Sequence, residues 1–466
     1  MKKTLFLLLL VSAIGTTSAQ TILNRFPIEL KKSSAYFQIL NAENQQHDYY
    51  AFIADKEKNT VLKYNSALFF TDSISIPRPS KKFEFMAGTA FSEEGCPTLF
   101  WSTKAYESIK AIHFDLKTRD VSEINYENNL DKEVVVDVFS KNNSLHIVSV
   151  TNENQLKFTV FSTDGKREYL TSLSSNATAI EQSSIDNFTQ LILENGITNI
   201  DPKMFTPLYV GVAKVKRYLN ENQFVLTFDF KEQTTVFTIN LNDFAVDKKL
   251  FPYERLQEEA QSNSYLHQNV LYQLTANSEA LSLAAIDFDS QNKIGSYQAN
   301  SKEEIDFKNS PLLLQSDNGK RRELKKTKRL LSKIDYGHIG LSVYSTPNYN
   351  LFTIGGVREV ASGGNIALGL GMVLGGAIAG STVVEIGDFG GSANTQSIYF
   401  ESFFNTNFEH INTPFQPLYI DAMSEFLNAN SPSVYNIRAF QDYVILNYYD
   451  KETNEFVMRK FEDYRN

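Results

Sequence analysis

The sequence predicts an all-β protein, and three observations carry that prediction. Phe and Tyr are abundant (35 and 23 residues), Trp101 is the only tryptophan, and Ile, Val and Thr fill stretches in which apolar and polar residues alternate. That mixture suits pleated, half-buried strands. The stretches are short and broken by turn formers: in SLHIVSVTNENQLKFTVFSTDGKREYLTSL, residues 144–173, Asn152 to Gln155 and the Asp164-Gly165 pair separate three strands. The same layout then recurs along the chain, the mark of a repeat fold.

The first element, MKKTLFLLLLVSAIGTTSAQ, has a basic start (Lys2, Lys3), an apolar run from Leu5 to Ile14 and the small residues Thr17 and Ala19 before Gln20. It reads as a secretory signal over residues 1–19, which places the mature chain outside the cytoplasm: periplasmic, outer-membrane-associated or secreted. The apolar run is short for a bilayer span, so no transmembrane span is expected in the mature chain. Cys96 is the only cysteine, so no intramolecular disulfide forms and stability must come from core burial, for which the chain is long enough. The net charge of -9 argues against general binding to nucleic acid or to anionic lipid surfaces, and leaves room only for local basic patches.

Five four-strand units follow between Ser34 and Ala299. Their first strands are SAYFQIL, EFMAGTAF, EVVVDVFS, AKVKRYL and SYLHQ, and three further strands follow each. A sixth unit is expected from HIGLSVYST, YNLFTIGGV and, after an insertion, TQSIYFESFF; a seventh has only VYNIRAF, YVILNYYD and EFVMRKFE. The lone strand TILNRFPIEL, Thr21 to Leu30, precedes the first unit and matches the vacancy in the last. If it fills that vacancy, the ring closes with no free sheet edge.

This arrangement resembles the seven-bladed β-propeller superfold of four-stranded antiparallel blades, its N-terminal strand closing the last blade, over nearly the whole of residues 20–466 as a single domain. The resemblance is architectural: there is no recurrent Trp-Asp pair, no double-glycine kelch pattern, and Ser162-Thr163-Asp164-Gly165 departs from the sialidase box. The chain is also similar to secreted bacterial proteins of comparable length, a likeness that brings no activity. A propeller of six or eight blades, or two stacked β-sandwiches, remains the competing fold.

Long connections at 174–211, 300–333, 358–394 and 413–433 interrupt the repeat. In an up-and-down blade, inter-blade links and the turns between second and third strands share one face, so these connections are expected together there. Short helices are expected within them: SIDNFTQLILENG, with Ser184 or Asp186 as N-cap, Phe188, Leu191 and Ile192 as apolar face and Gly196 as stop; RELKKTKRLLSKI, with Leu324, Leu331 and Ile334 on one stripe; PLYIDAMSEFLNAN; and a short one in PYERLQEEA. Structured insertions tend to carry function, so the working surface is expected on this helix- and loop-decorated face.

The stretch GLGMVLGGAIAG, Gly369 to Gly380, lacks both the spacing of a dinucleotide loop and the lysine of a Walker loop. It joins adjacent strands, so spanning a membrane would need two crossings of about 40 apolar residues in total, far more than are present. It reads as a packed insert, or as a contact surface for a protein or lipid through Met372, Leu374 and Ile378. The basic run from Gly319, including Lys325 and Arg329, reads as the solvated face of a helix or as a dock for phosphate, acidic glycan or anionic lipid. Trp101, Lys104 and Tyr106, at a turn between second and third strands, read as ordinary packing or as a sugar-stacking cluster.

No catalytic constellation, cofactor motif or metal-ligand spacing stands out. The six histidines are scattered, and Asp287, Asp289 and Asn292 lack the glycine and terminal glutamate of a calcium loop. The function expected is therefore that of an exported binding or scaffold module for a protein, or for an envelope glycan or lipid. The alternatives are a carbohydrate-active or other hydrolytic propeller, and a peripheral membrane protein attached by the glycine-rich insert.

Overall fold

A computed structural model describes residues 20–31, 36–173, 187–230, 232–316, 321–359 and 395–463. The expected signal (1–19), the helix-cap candidates Ser184 and Asp186, and the glycine-rich stretch with Met372, Leu374 and Ile378 lie outside the described residues. The described strands form seven sheets.

Sheet I contains Gln38–Glu43, Tyr49–Ala54, Lys58–Tyr64 and Phe70–Pro77; sheet II, Phe85–Phe91, Pro97–Ser102, Ser108–Phe114 and Val121–Glu127. Sheet III contains Val134–Lys141, Ser144–Val150, Leu156–Ser162 and Gly165–Thr171; sheet V, Gln261–His267, Val270–Ala276, Ala280–Asp287 and Lys293–Asn300. Sheet IV contains Val215–Leu219, Gln223–Phe230, Gln233–Asn240 and Val246–Pro252, and its first strand gains a parallel partner, Thr198–Ile200. Sheet VII pairs Tyr435–Phe440, Tyr443–Asp450 and Glu455–Phe461, and its fourth strand is Gln20–Pro27. That strand runs antiparallel to Glu455–Phe461, from Gln20 opposite Phe461 to Pro27 opposite Glu455, which is the closure expected from the sequence.

Burial explains the residue pattern. Second strands such as Tyr49–Ala54 and Pro97–Ser102 are buried throughout, because sheets cover both of their faces, and they read as continuous apolar runs. Fourth strands lie at the rim: Val121–Glu127 has no buried residue. The tight turn between the first two strands of sheet III carries Asn142 and Asn143 at φ of 50° and 54°, the left-handed pair that suits a two-residue hairpin.

Apolar clusters join each sheet to the next. Phe52 and Trp101 share a cluster between I and II, Phe100 and Phe161 between II and III, and Phe158 and Phe224 between III and IV. One cluster runs from Tyr218 through Leu274 to Phe352 across IV, V and VI; Leu351 and Leu446 join VI to VII, and Tyr449 and Ile53 join VII to I. Asn41 to Asn436 (2.7 Å) and Asn447 to Tyr49 (2.8 Å) add polar links across the closing joint. The sheets therefore form a ring, a β-propeller.

Sheet VI departs from the expected order. From the inner edge it runs His338–Ser345, Asn350–Glu359, Thr395–Phe404, then Leu312–Ser316 and Arg321–Leu324. Its fourth strand thus comes from the connection that precedes the sheet, with Leu313 opposite Tyr399. The chain enters this sheet at its rim. Residues 300–333 consequently cross the thickness of the ring, Asn309 meeting the far end of Thr395–Phe404 through bonds with Glu401 and Phe403. The strand then ends on the opposite face, so the 413–433 connection has to cross back. The expectation that all long connections share one face fails for these two.

The helices pack on the sheets and on the joints between them. Helix α1, Phe188–Asn195, is capped by the Asn187 side chain, and its Phe188 and Ile192 lie among Phe158, Phe228 and Phe237 of sheets III and IV. Helix α2 is the short turn Leu208–Gly211. Helix α3, Thr327–Asp335, buries Leu330, Leu331 and Ile334; Leu324, expected on the same stripe, instead belongs to the strand before it. Helix α4, Tyr419–Asn430, buries Met423 and Leu427 between sheets VI and VII. PYERLQEEA forms no helix: Tyr253 is held extended by bonds to Asp229 and Thr234, and Glu254 by a bond to Ser282.

Candidate functional site

The functional geometry begins with residues 198–213. Thr198–Ile200 pairs with the inner edge of sheet IV, and the chain then crosses toward sheet VI. The Tyr265 hydroxyl of sheet V reaches Thr206 Oγ1 (2.8 Å), Ser342 Oγ of sheet VI donates to the Thr206 carbonyl (2.5 Å), and Phe205 N donates to the Tyr419 hydroxyl of α4 (2.9 Å). Helix α2 then lies against sheet VI so closely that a Cβ on Gly211 would sit 2.6 Å from the Leu341 carbonyl oxygen. Only glycine fits there, because the opposing atom is backbone. The segment therefore spans the inner ends of sheets IV, V and VI.

Below it a cavity of about 780 Å³ opens. Its walls are the turns between first and second strands of four sheets, represented by Asn220 (IV), Gln268 (V), Asn348 (VI) and Gln441 (VII), with Pro202 and Lys203 from the crossing segment. These turns lie on the face opposite the one from which a link between second and third strands emerges. The cavity is therefore on the other side of the ring from the surface expected to be the working one.

Within the cavity Asp463 is fixed by the Tyr344 hydroxyl (2.7 Å) and the Tyr419 amide (2.8 Å). Burial, with the Asp463 charge beside it, pushes the Tyr344 hydroxyl well above the usual tyrosine range, so this phenol stays protonated and donates. His267 Nε2 lies 2.7 Å from Ser345 Oγ, whose hydroxyl donates to Asn350 Oδ1 (2.6 Å). In that arrangement His267 donates to Ser345. Burial lowers His267 to about 4, and its Nδ1 has no hydrogen-bond partner among the described residues. The chain His267–Ser345–Asn350 ties the first turn of sheet VI to sheet V.

The residues singled out from sequence are dispersed. Trp101 is completely buried between sheets I and II under the Arg78 guanidinium, 4.5 Å from its ring, and Tyr106 is buried between sheets II and III against Phe85. Neither ring is presented to a sugar; of that trio only Lys104 is exposed. The strand that carries Trp101 is covered on both faces, which alternation alone does not reveal. Lys325 and Arg329 are exposed near α3. Asp287 closes a turn by accepting from the Ser290 backbone and hydroxyl, and Asp289 accepts from Asn269. Among the described residues there is no group of three or more potential metal ligands, and no helix is long and apolar enough to cross a membrane.

Sequence reasoning missed the cavity, whose lining residues are spread from Pro202 to Asp463. The one available signal was the apolar run Met204 to Val212 inside a supposed surface insertion.

No family model and no curated protein matches the chain. Similar solved structures include the β-propeller domain of Nup133 from Vanderwaltozyma polyspora (10% identity, 96% of this chain and 97% of that one, TM-score 0.34). Another is the WD40 domain of SCAP from fission yeast (8% identity, 95% and 88%, TM-score 0.31). A member of the DUF4221 family from Bacteroides vulgatus is similar at 10% identity over 93% of this chain and 100% of that one, with a TM-score of 0.31. The likeness is one of fold alone.

Proposed function

We propose that this chain is an exported, single-domain binding module that holds a protein or cell-envelope component at the cavity end of its propeller. The observation that carries the reading is the cavity framed by the first turns of four sheets and bounded by Pro202 and Lys203 of the crossing segment. Turns on a rigid scaffold are a common seat of recognition, and a concave surface of this size with mixed lining suits a ligand segment. Asp442, Glu462 and Asp463 outnumber Lys203 among the charged lining residues, so a basic or hydroxyl-rich segment is the complementary partner. Export rests on the signal-like residues 1–19.

The test places a photo-crosslinking residue at Asn348 or Gln441 in cells that make the full chain, with Lys104 as a control on the other face. A discrete adduct from the first two positions and none from the control is expected. Adducts from the control alone, or from no position, would refute cavity-end binding. N-terminal sequencing of the extracytoplasmic protein is expected to begin at Gln20; recovery from the cytoplasm with Met1 intact would remove export.

A further inference from the structure

Four consecutive sheets each contribute an amide residue to the wall of the cavity: Asn220 from IV, Gln268 from V, Asn348 from VI and Gln441 from VII. All four are exposed. Asn220 and Gln441 make no side-chain hydrogen bond among the described residues. Gln268 and Asn348 use only their nitrogens, on Ser345 Oγ (3.3 Å) and on Gln416 Oε1 (2.7 Å), which leaves both amide oxygens available. The bond from Asn348 leads to the rim. Gln416 N donates to the Tyr349 hydroxyl (3.2 Å), and the residue before it, Phe415, is 50% exposed, with Phe403 as its ring neighbour at 6.4 Å between centroids. An exposed aromatic ring therefore stands beside an amide-lined cavity.

We infer that the cavity and Phe415 together hold a neutral saccharide, which rests on the proposed binding at the cavity end and names its ligand class. A sugar hydroxyl donates and accepts at one atom, and a side-chain amide sets a donor beside an acceptor, so neighbouring hydroxyls meet it in complementary pairs. The C–H face of a sugar ring is weakly positive and stacks on the electron-rich face of an aromatic ring, which Phe415 supplies at the rim. Asp442, Glu462 and Asp463 against Lys203 give the lining a negative balance that repels uronates and sulfated sugars. A peptide is the poorer fit. The walls are turns and strand ends, so a peptide finds no continuous strand edge to pair with, and a helix would lay its apolar face on exposed amides.

The test is isothermal titration of the full mature chain with cellohexaose, maltohexaose and chitohexaose, with polygalacturonate as the acidic comparison. Saturable binding of at least one neutral oligosaccharide and none of the polyuronate is expected. Asn220→Ala and Gln441→Ala should each weaken it about fivefold, and Phe415→Leu about tenfold. Phe415→Tyr, which keeps the ring, should bind as the parent does. In Phe415→Trp the introduced indole should shift its emission on saturation, a signal the buried Trp101 does not give. Circular dichroism checks that each variant keeps the fold. No binding of any neutral oligosaccharide, equal binding of polygalacturonate, or unchanged binding in Gln441→Ala or Phe415→Leu would overturn the inference. Photo-crosslinking at Asn348 and Gln441 separates its failure from that of the reading beneath it. A protein adduct there without saccharide binding overturns the saccharide and leaves cavity-end binding standing, whereas no adduct at either position removes both.

Discussion

Lys216 Nζ lies 2.7 Å from Asp229 Oδ2, and neither side chain is exposed to solvent. The pair is fully engaged. Asp229 also accepts from Ser264 N (3.0 Å), Thr234 Oγ1 (3.0 Å) and the Tyr253 hydroxyl (2.8 Å), while Lys216 also donates to Asn263 Oδ1 (3.0 Å). Because Asn263 and Ser264 belong to sheet V, the pair is a polar bolt through the joint between sheets IV and V. Desolvating two charges is costly, so such a pair persists only with its remaining hydrogen-bonding capacity satisfied.

Breaking the bolt from one side should therefore cost more than removing it. Asp229→Asn leaves the Lys216 charge buried and unopposed, and is expected to lower stability by about 3–5 kcal/mol in urea denaturation. Asp229→Leu combined with Lys216→Met should recover most of that loss. Burial raises the Asp229 carboxyl, but Lys216 and its hydrogen bonds outweigh this and hold it below the ordinary 3.8. Its contribution is present above pH 3.8 and lost as pH falls through the lower folded value. An unchanged acid limb in Asp229→Asn would count against this account.

A second pH dependence lies at milder acidity. Burial lowers both His146 and His267 from 6.5 to about 4, and both have an Nδ1 without a partner among the described residues. His146 is also stacked on Phe139 at 4.7 Å. Between 6.5 and about 4 the unfolded chain binds protons that the folded chain refuses, so stability falls as pH falls through that window. The loss is expected to be on the order of 3 kcal/mol per histidine, and His146→Gln with His267→Gln should flatten it. A double variant with the parent's pH profile would assign the loss to other groups.

How far the sequence could be read follows from which interactions are local. Strand spacing, the helices at Phe188–Asn195 and Tyr419–Asn430, and the complementarity of Gln20–Pro27 to the last sheet were legible, because periodicity and turn residues act over a few positions. The role of Leu312–Ser316 was not, since nothing in LLLQS says that it joins the rim of a strand more than 80 positions ahead. Leu324 fits the same helical offset as Leu331 but pairs with Leu312 in a strand, where long-range pairing overrides periodicity. Trp101 misled because a propeller strand is covered on both faces. The cavity is a property of turns that meet only after ring closure.

The burial of Trp101 gives a direct optical test. As the only tryptophan, it reports on the joint between sheets I and II, where Arg78 covers it and donates to the Tyr36, Asp55 and Glu84 carbonyls. Its fluorescence is expected to be blue-shifted, shielded from acrylamide and insensitive to added saccharides. Arg78→Lys keeps the charge but loses the planar fork, and should cost about 1–3 kcal/mol with a red-shifted emission. Quenching by a sugar in the folded protein would contradict the buried placement.

The closing strand offers the most direct test of the architecture. Removing residues 20–27 strips Leu23 and Phe26 from the cluster that holds Tyr449 and Met458, and leaves Glu455–Phe461 as an unpaired edge. Burial of one such side chain is worth about 1.5–3 kcal/mol, so even with partial exposure a loss of roughly 3 kcal/mol is expected. The bare edge should also drive self-association, visible as concentration-dependent light scattering. A synthetic peptide spanning Gln20 to Leu30 is expected to restore the unfolding transition and suppress the scattering, while a scrambled peptide is not. If the truncated chain unfolds like the intact one, the ring does not depend on its first strand.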